Sequence, residues 1–209
     1  MRINNYFKKY SSFLIYFFGF IVLIYSLISI YRIITGFTPD YSIFYNSTKD
    51  LLLKHNPYTD KKLFTVYNYP PVTNILFFPF VYLPYFYSQL LFTLINYLSI
   101  FSIVYYSFKI LSFRFKIKYF VLTTSLYFII FPVKFTLGMG QVNLIAYSFL
   151  LYGFYMYQKS KNLTSSLMLF LAILLKPVLV VTLIVFVIKK KWQIVKYLFL
   201  IGVFVKCTS

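Results

Sequence analysis

The feature that most constrains this 209-residue chain is a run of 22 consecutive uncharged residues, 10–31, most of them apolar. Such a run is long enough to cross a bilayer, since roughly 20 helical residues span a hydrocarbon core of about 30 Å. Backbone groups in lipid must be satisfied within the segment itself, which favours helices. Further uncharged runs follow at 63–108, 119–133, 135–158, 162–175 and 177–188. The pattern predicts an all-α, polytopic transmembrane helical bundle.

The charges are strongly unbalanced, with 21 Lys and Arg against three Asp and a formal net charge of +18. In a soluble protein such a balance suggests nucleic acid. Here the cations cluster between the apolar runs, as in the cytoplasmic loops of membrane proteins. The aromatic residues lie inside the runs and do not interleave with a basic patch. The sequence therefore predicts contact with membrane lipid and no nucleic-acid partner.

The positions of the cations also predict a topology. Arg2, Lys8 and Lys9 precede the first run, so the N-terminus of this cell-membrane protein should be cytoplasmic and the first run an uncleaved anchor. Residues 36–69 then form an outer loop, and the basic cluster at 109–118 lies inside. We expect a proline-rich short helix or re-entrant segment at 69–84, crossings at 85–108, 119–133 and 142–158, and an outer turn at 138–141.

The run 162–188 is interrupted at its middle by Lys176-Pro177 and followed by three lysines. We expect two half-length helices that form a hairpin from the cytoplasmic side, although one kinked span remains an alternative. Either arrangement places Lys176 near the middle of the membrane, at a cost of a few kcal/mol unless it faces protein, water or an anion. A carbonyl freed by Pro177 is the alternative partner for the ammonium.

The carboxylates are concentrated in one place. Asp40, Asp50 and Asp60 lie within 21 residues, His55 among them is the only histidine, and there is no glutamate. Asp50 and Asp60 adjoin lysines, as solvated charges do, whereas Asp40 follows a proline at the predicted membrane exit, in a stiff, extended segment. The single Cys207 excludes an intrachain disulfide. Three acids spaced ten residues apart, with one histidine, make a poor set of metal ligands, so no metal or cofactor is predicted.

Five short motifs follow one another along the chain: Thr38-Pro39-Asp40-Tyr41, His55-Asn56-Pro57-Tyr58, Tyr69-Pro70-Pro71, Gly140-Gln141-Val142-Asn143 and Leu175-Lys176-Pro177. In this order they resemble glycosyltransferase family 87, within the C-type glycosyltransferase superfamily. The resemblance implies an enzyme that moves a mannose-like sugar from a polyprenyl-phosphate donor to a lipid or glycan acceptor on the extracytoplasmic face. It also implies that residues 1–209 form one transmembrane domain, the N-terminal half of a larger bundle.

The resemblance places an essential carboxylate in the first outer loop, and Asp40 occupies that position as the catalytic base. A leaving polyprenyl phosphate requires a cation, for which Lys176, Lys134 and Arg32 are the candidates. His55 departs from the family pattern, which usually has glycine before Asn-Pro-Tyr. The remaining predicted substrate contacts are the side chains of Gln141, Asn143, His55, Asn56 and Tyr58.

Two other functions remain open at the level of sequence. In a membrane transporter or lipid flippase, a mid-membrane lysine in a broken helix would line the substrate path. An inverted repeat would favour that function, and we see none. A truncated, non-catalytic membrane subunit is the other alternative.

Overall fold

The computed structural model describes residues 2–36, 38–58, 67 and 69–208, with side chains described between residues 13 and 203. Asp60, predicted to be a solvated charge, lies outside the described residues. Every regular element in the described part of the chain is helical, as predicted. In order these are α1 (Arg2–Ile34), α2 (Pro39–Leu52), the 3₁₀ helix η1 (Pro71–Phe77), α3 (Phe78–Val81), α4 (Tyr85–Ile110), α5 (Ile117–Ile129), α6 (Phe131–Met139), α7 (Asn143–Gln158), α8 (Asn162–Leu175), the 3₁₀ helix η2 (Pro177–Thr182), α9 (Leu183–Ile188) and α10 (Trp192–Thr208).

Two of the described helices are long and apolar enough to cross a membrane. They are the 22-residue part Phe13–Ile34 of α1 and the 26-residue α4. The pair α5 and α6 becomes a third candidate if its two parts are counted as one bent span. The sequence prediction of helices at 10–31 and 85–108 is confirmed, and so is the short helical segment at 69–84, which contains η1 and α3.

The prediction of one continuous crossing helix at 119–133 is wrong. The helix ends at Ile129, and the chain bends by 69° before it continues as Phe131–Met139. Pro132 is the physical reason, because a proline lacks the N–H that a continuous helix needs and clashes with the preceding turn. The predicted outer turn at 138–141 is also shifted, because Gly138 and Met139 are the last residues of α6 and the turn begins at Gly140.

The segment around Asp40 is likewise corrected. We predicted an extended loop there, but Pro39 begins the 14-residue helix α2 and Asp40 lies in its first turn. Proline is favourable at the first position of a helix because its missing N–H would have no partner there, and an acidic residue in the first turn complements the helix dipole. Both signals are present in the sequence and indicate a helix start.

The predicted hairpin is confirmed, and the single kinked span is wrong. Helix α8 runs back along α7, so that Leu169 packs against Gly153. Past Lys176 the chain returns through η2 and α9, which stacks Phe186 on Phe154 with ring centroids 5.4 Å apart. The two ends of the hairpin meet where the Asn162 amide donates to the Gln193 oxygen at 2.7 Å. The side from which the hairpin enters a membrane stays a prediction.

The basic turns share one end of the bundle. At the end of α7, the Gln158 amide donates to the Ile110 carbonyl at 3.2 Å, which joins the turn at 109–118 to the lysine turn at 159–161. The lysine turn at 189–191 lies beside the latter, through the contact between Asn162 and Gln193. Asp40 and Lys176 lie at the opposite end. The positions of the cations predict the separation of Asp40 from the basic turns. They place Lys176 near the middle of the membrane, whereas its contact with Asn143 at the start of α7 brings it to the same end as Asp40.

An aromatic core holds α2 in place at that opposite end. The rings of Tyr41 and Phe92 stack with centroids 4.6 Å apart, and those of Phe44 and Phe77 at the same separation. The Tyr41 hydroxyl also contacts the Ser88 hydroxyl on α4. Stacked aromatic pairs contribute about 0.5–1.5 kcal/mol each beyond the area they bury. The start of α2, which carries Asp40, is therefore fixed against α4 and η1.

Candidate functional site

Asp40 is half-buried in the first turn of α2, and one of its oxygens is already engaged. The Gln141 side-chain amide donates to Asp40 Oδ2 at 2.7 Å. The helix N-terminus adds a partial positive charge beside the carboxylate. A hydrogen bond and a helix dipole thus support one carboxylate, whose other oxygen can accept a proton.

The contact continues through two further side chains. Asn143 Nδ2 donates to Gln141 Oε1 at 2.6 Å, and Lys176 Nζ donates to Asn143 Oδ1 at 2.7 Å. We call the row Asp40, Gln141, Asn143 and Lys176 the amide chain. Its members come from α2, the turn between α6 and α7, the start of α7 and the tip of the hairpin. Four of the predicted site residues therefore form one hydrogen-bonded row.

The turn between α6 and α7 brings Gln141 and Asn143 to Asp40. Gly140 ends α6 with a φ of 71°, a left-handed conformation that favours glycine. A Cβ built on Gly140 would lie 2.8 Å from the Tyr41 Cβ and 3.2 Å from the Thr38 Cβ. The turn consequently packs directly against the start of α2, and only a residue without a side chain fits between them.

Lys176 reaches the site because α8 ends early. Helix α8 ends at Leu175, and Lys176 has an extended backbone ahead of Pro177, as residues before proline tend to have. The carbonyl of Leu174 accepts a hydrogen bond from the Thr73 hydroxyl at 3.4 Å. The described partner of the Lys176 ammonium is the Asn143 oxygen, and among the described residues we see no hydrogen bond from this ammonium to a carbonyl freed by Pro177, the predicted alternative.

A second cation lies near the same turn. The guanidinium of Arg32, in the last turn of α1, packs so closely over Gly138 that a Cβ there would overlap it. The lack of a side chain at Gly138 thus leaves room for the Arg32 guanidinium, a role of this glycine that the sequence pattern does not predict. Arg32 and Lys176 approach the α6–α7 turn from different helices, which gives this end of the bundle two positive groups near one carboxylate.

The Asn-Pro-Tyr motif supports the site from the side. Asn56 Oδ1 accepts the Tyr58 N–H at 2.9 Å, and the Tyr58 hydroxyl donates to the Tyr69 carbonyl at 3.0 Å. Burial raises the pKa of Tyr69 above its ordinary value, and the charge of Asp40 raises it further. Tyr69 therefore lies close enough to Asp40 to respond to its charge. Asn56 and Tyr58 connect to the site through this tyrosine.

Other predicted residues lie apart from the amide chain. His55 is exposed beyond the end of α2, where its backbone N–H donates to the Asp50 carbonyl at 2.8 Å. Asp50 itself is ten residues from Asp40, a rise of about 15 Å along the helix. Lys134 is exposed on α6, with its ammonium 5.2 Å from the centroid of the Tyr25 ring. Substrate contacts of His55 and Lys134 stay predictions.

Sequence reasoning missed Thr136, which lies beside the amide chain. Its hydroxyl accepts a longer hydrogen bond, 3.4 Å, from Asn143 Nδ2. A buried threonine in an apolar helix carries no signal in the sequence that separates it from an ordinary core residue. Thr136 and Asn143 also border a cavity of about 390 Å³ between α4, α5, α6 and α7, whose other walls are mainly apolar, among them Ile103, Val133, Leu144 and Leu151.

The comparison with protein families gives a match over most of the chain. A family model described as glycosyltransferase family 87 matches residues 67–208, which is more than half of the chain. The matched range contains Gln141, Asn143 and Lys176 and begins after Asp40. Neither the curated proteins nor the solved structures give a match.

Proposed function

Because this chain belongs to glycosyltransferase family 87, we propose that it moves a mannose-like sugar from a polyprenyl-phosphate donor to a lipid or glycan acceptor. The observation that carries this proposal is the amide chain, which connects a half-buried carboxylate to a cation at the same end of the bundle. Transfer of a sugar requires one group to take a proton and another to neutralise a leaving phosphate. Asp40 and Lys176 have the matching chemistry.

In the proposed reaction, Asp40 is the base. Its carboxylate takes the proton of an acceptor hydroxyl while that oxygen bonds to the anomeric carbon of the sugar. The bond from that carbon to the phosphate oxygen breaks, and the electron pair leaves with the polyprenyl phosphate. Gln141 already occupies Oδ2 of Asp40, so Oδ1 is the oxygen that takes the proton.

Lys176 supplies positive charge to the leaving phosphate. An ammonium carries three N–H donors, and the contact with Asn143 uses one. Arg32 offers a planar guanidinium over Gly138, a geometry suited to two phosphate oxygens. With two cations from different helices, the developing charge is stabilised without a metal ion.

The cavity beside Asn143 offers a place for the isoprenoid part of the donor. Its walls are mainly apolar, and its polar edge is formed by Asn143 and Thr136. An isoprenoid chain would gain from leaving water along the apolar walls. Its phosphate would then lie at the polar edge, near Lys176, which is hydrogen-bonded to Asn143.

We further propose that residues 1–209 form one multi-pass domain with a cytoplasmic N-terminus and the site on the extracytoplasmic side. Support comes from the basic turns at 109–118, 159–161 and 189–191, which lie at the end opposite Asp40 and are typical of cytoplasmic loops. The test is cysteine labelling in a chain that lacks Cys207. Since His55 and Ser112 are both exposed, an impermeant reagent added outside should label His55→Cys and not Ser112→Cys; the reverse result would overturn this orientation.

The proposed activity is tested with Asp40→Asn and the matched control Asp50→Asn. Membranes containing each variant are supplied with decaprenyl phosphate carrying radiolabelled mannose, and transfer to lipids and glycans is measured. Asp40→Asn should lower transfer by at least about a hundredfold, since general bases contribute about 10²–10⁴ to rates. Asp50→Asn should retain activity within about twofold. Near-normal transfer by Asp40→Asn would exclude Asp40 as the base.

A further inference from the structure

We propose that Gln141 and Asn143 are positioning residues, which pass the orientation imposed by Lys176 to Asp40 and thereby decide which carboxylate oxygen takes the proton. This inference rests on the proposed function of Asp40 as base. It also changes the roles predicted for Gln141 and Asn143, from substrate contacts to residues that act through Asp40.

The direction of the amide chain follows from its two ends. An ammonium only donates hydrogen bonds and an ionised carboxylate only accepts them. Lys176 therefore faces the oxygen of Asn143, which leaves the Asn143 amide nitrogen to face Gln141. Gln141 in turn presents its oxygen to Asn143 and its nitrogen to Asp40. The cation and the carboxylate impose the same order on both amides.

The geometry makes this order rigid. The three hydrogen bonds are 2.6–2.7 Å long, and all four side chains are half-buried, which limits competition from water. Gly140 holds the turn that carries Gln141 against α2. Thr136 accepts a second, longer hydrogen bond from the Asn143 nitrogen, which also favours the observed orientation of that amide.

One change breaks the order without touching Asp40 and without adding a charge. In Asn143→Leu the side chain keeps its size, but it has no oxygen for Lys176 and no N–H for the Gln141 oxygen. The Gln141 amide is then held at one end only, so its hydrogen bond to Asp40 Oδ2 weakens although the substitution is two side chains away. A purely local role of Asn143 in substrate binding predicts no such effect on Asp40.

The composition of the chain makes this effect directly measurable. The chain contains three aspartates and no glutamate. We would make it by cell-free synthesis with aspartate labelled with carbon-13 at Cγ and place it in nanodiscs. Its NMR spectrum should then contain three side-chain carboxyl signals. Asp40→Asn identifies the Asp40 signal. At constant neutral pH, that signal should move in Gln141→Leu and also in Asn143→Leu, neither of which adds a carboxylate, while the Asp50 signal stays in place and reports that the variants are folded.

A matched control lies at the opposite end of the bundle. Asn162 donates to the Gln193 oxygen at 2.7 Å, as Asn143 donates to Gln141, so Asn162→Leu removes the same kind of hydrogen bond far from Asp40. It should leave the Asp40 signal in place. An Asp40 signal that is unmoved by Asn143→Leu, or moved equally by Asn162→Leu, would overturn the inference.

Kinetics separate positioning from substrate binding. In the transfer assay, Gln141→Leu should lower kcat by about tenfold to a hundredfold, the equivalent of one hydrogen bond to a charged group, with KM for the donor within about twofold. A substrate contact at Gln141 would instead raise KM and contradict positioning. If Asp40→Asn retains activity, the proposed base fails, whereas an inactive Asp40→Asn with an unmoved signal in Asn143→Leu rejects only the positioning role.

Discussion

Two asparagine–glutamine pairs lie at opposite ends of the bundle, and their surroundings differ. Asn143 and Gln141 are half-buried between the carboxylate of Asp40 and the ammonium of Lys176. The pair of Asn162 and Gln193 has nearly the same length, 2.7 Å against 2.6 Å, but it is exposed and borders a cavity lined by lysines. The same pair of side chains thus lies between opposite charges at one end of the bundle and beside positive charges alone at the other end.

The difference shows what gives a polar pair a single orientation. A hydrogen bond between two amides can form in either direction, and water competes for it when it is exposed. Opposite charges at the two ends remove that freedom, and partial burial strengthens the resulting order. At the basic end neither condition holds. We therefore expect substitutions in the two regions to differ in size, and each prediction below pairs a residue of the site with a control elsewhere.

The largest effect is expected at Gly140. Gly140→Ala and Gly36→Ala both place a side chain at a positive φ, 71° and 74°, which costs about 1–2 kcal/mol. Only at Gly140 does the new Cβ meet the start of α2, which adds about 1–3 kcal/mol or displaces the turn. Thermal unfolding in detergent should therefore show a larger loss for Gly140→Ala, together with loss of transfer. Equal losses in the two variants would contradict the close packing.

Lys176→Met comes next. The substitution keeps most of the bulk and removes the charge, so affinity for decaprenyl phosphate in nanodiscs should fall by about one to two orders of magnitude. Lys190→Met at the basic end is the control and should bind within about twofold of the parent. Lys176→Arg should retain part of the affinity because the charge survives. Unchanged binding in Lys176→Met would leave Arg32 as the cation for the phosphate.

A smaller effect is expected for Tyr58→Phe. It removes the hydrogen bond to the Tyr69 carbonyl, worth about 0.5–1.5 kcal/mol, and so loosens the segment beside Asp40. Transfer should fall by about two- to tenfold. Tyr82→Phe, at a tyrosine that is 76% exposed, is the control and should change nothing measurable. A loss in Tyr58→Phe that is no larger than in Tyr82→Phe would show that the motif does not support the site.

The smallest effect is expected at the basic end. Asn162→Ala removes an exposed hydrogen bond, and stability should change by less than about 1 kcal/mol, with transfer unaltered. Asn143→Ala should lower transfer at least tenfold in the same assay. Comparable losses of transfer in both variants would mean that the two amide pairs are equivalent and would contradict the expected difference between them.

The sequence predicted the members of the amide chain but not their connection. Asp40 is a candidate because it follows a proline at the predicted membrane exit, where the family resemblance places an essential carboxylate, and Lys176 because a cation in an apolar run is unusual. Gln141 and Asn143 are candidates as amides in a segment that contains two glycines. Their hydrogen bonds join residues up to 101 positions apart, and such contacts depend on tertiary packing, which periodicity and charge do not specify.

The errors have local causes. The bend after Ile129 follows from Pro132, which is visible in the sequence but is hidden within an uncharged run. The helical start at Asp40 follows from Pro39, which favours a helix N-terminus as well as an extended segment. For Lys134 the charge is visible in the sequence but the side of α6 on which it lies is not, and packing places its ammonium near Tyr25.

The sequence separation within the amide chain has a consequence for biosynthesis. Gln141 follows Asp40 by 101 residues and Lys176 follows Asn143 by a further 33. At about 5–20 residues per second, Asp40 is added to the chain about 5–20 s before its first partner. The hairpin that carries Lys176 is made later still. The amide chain is thus completed late in synthesis, and a nascent chain that already holds Asp40 in place lacks the full row of hydrogen bonds until the hairpin folds back along α7.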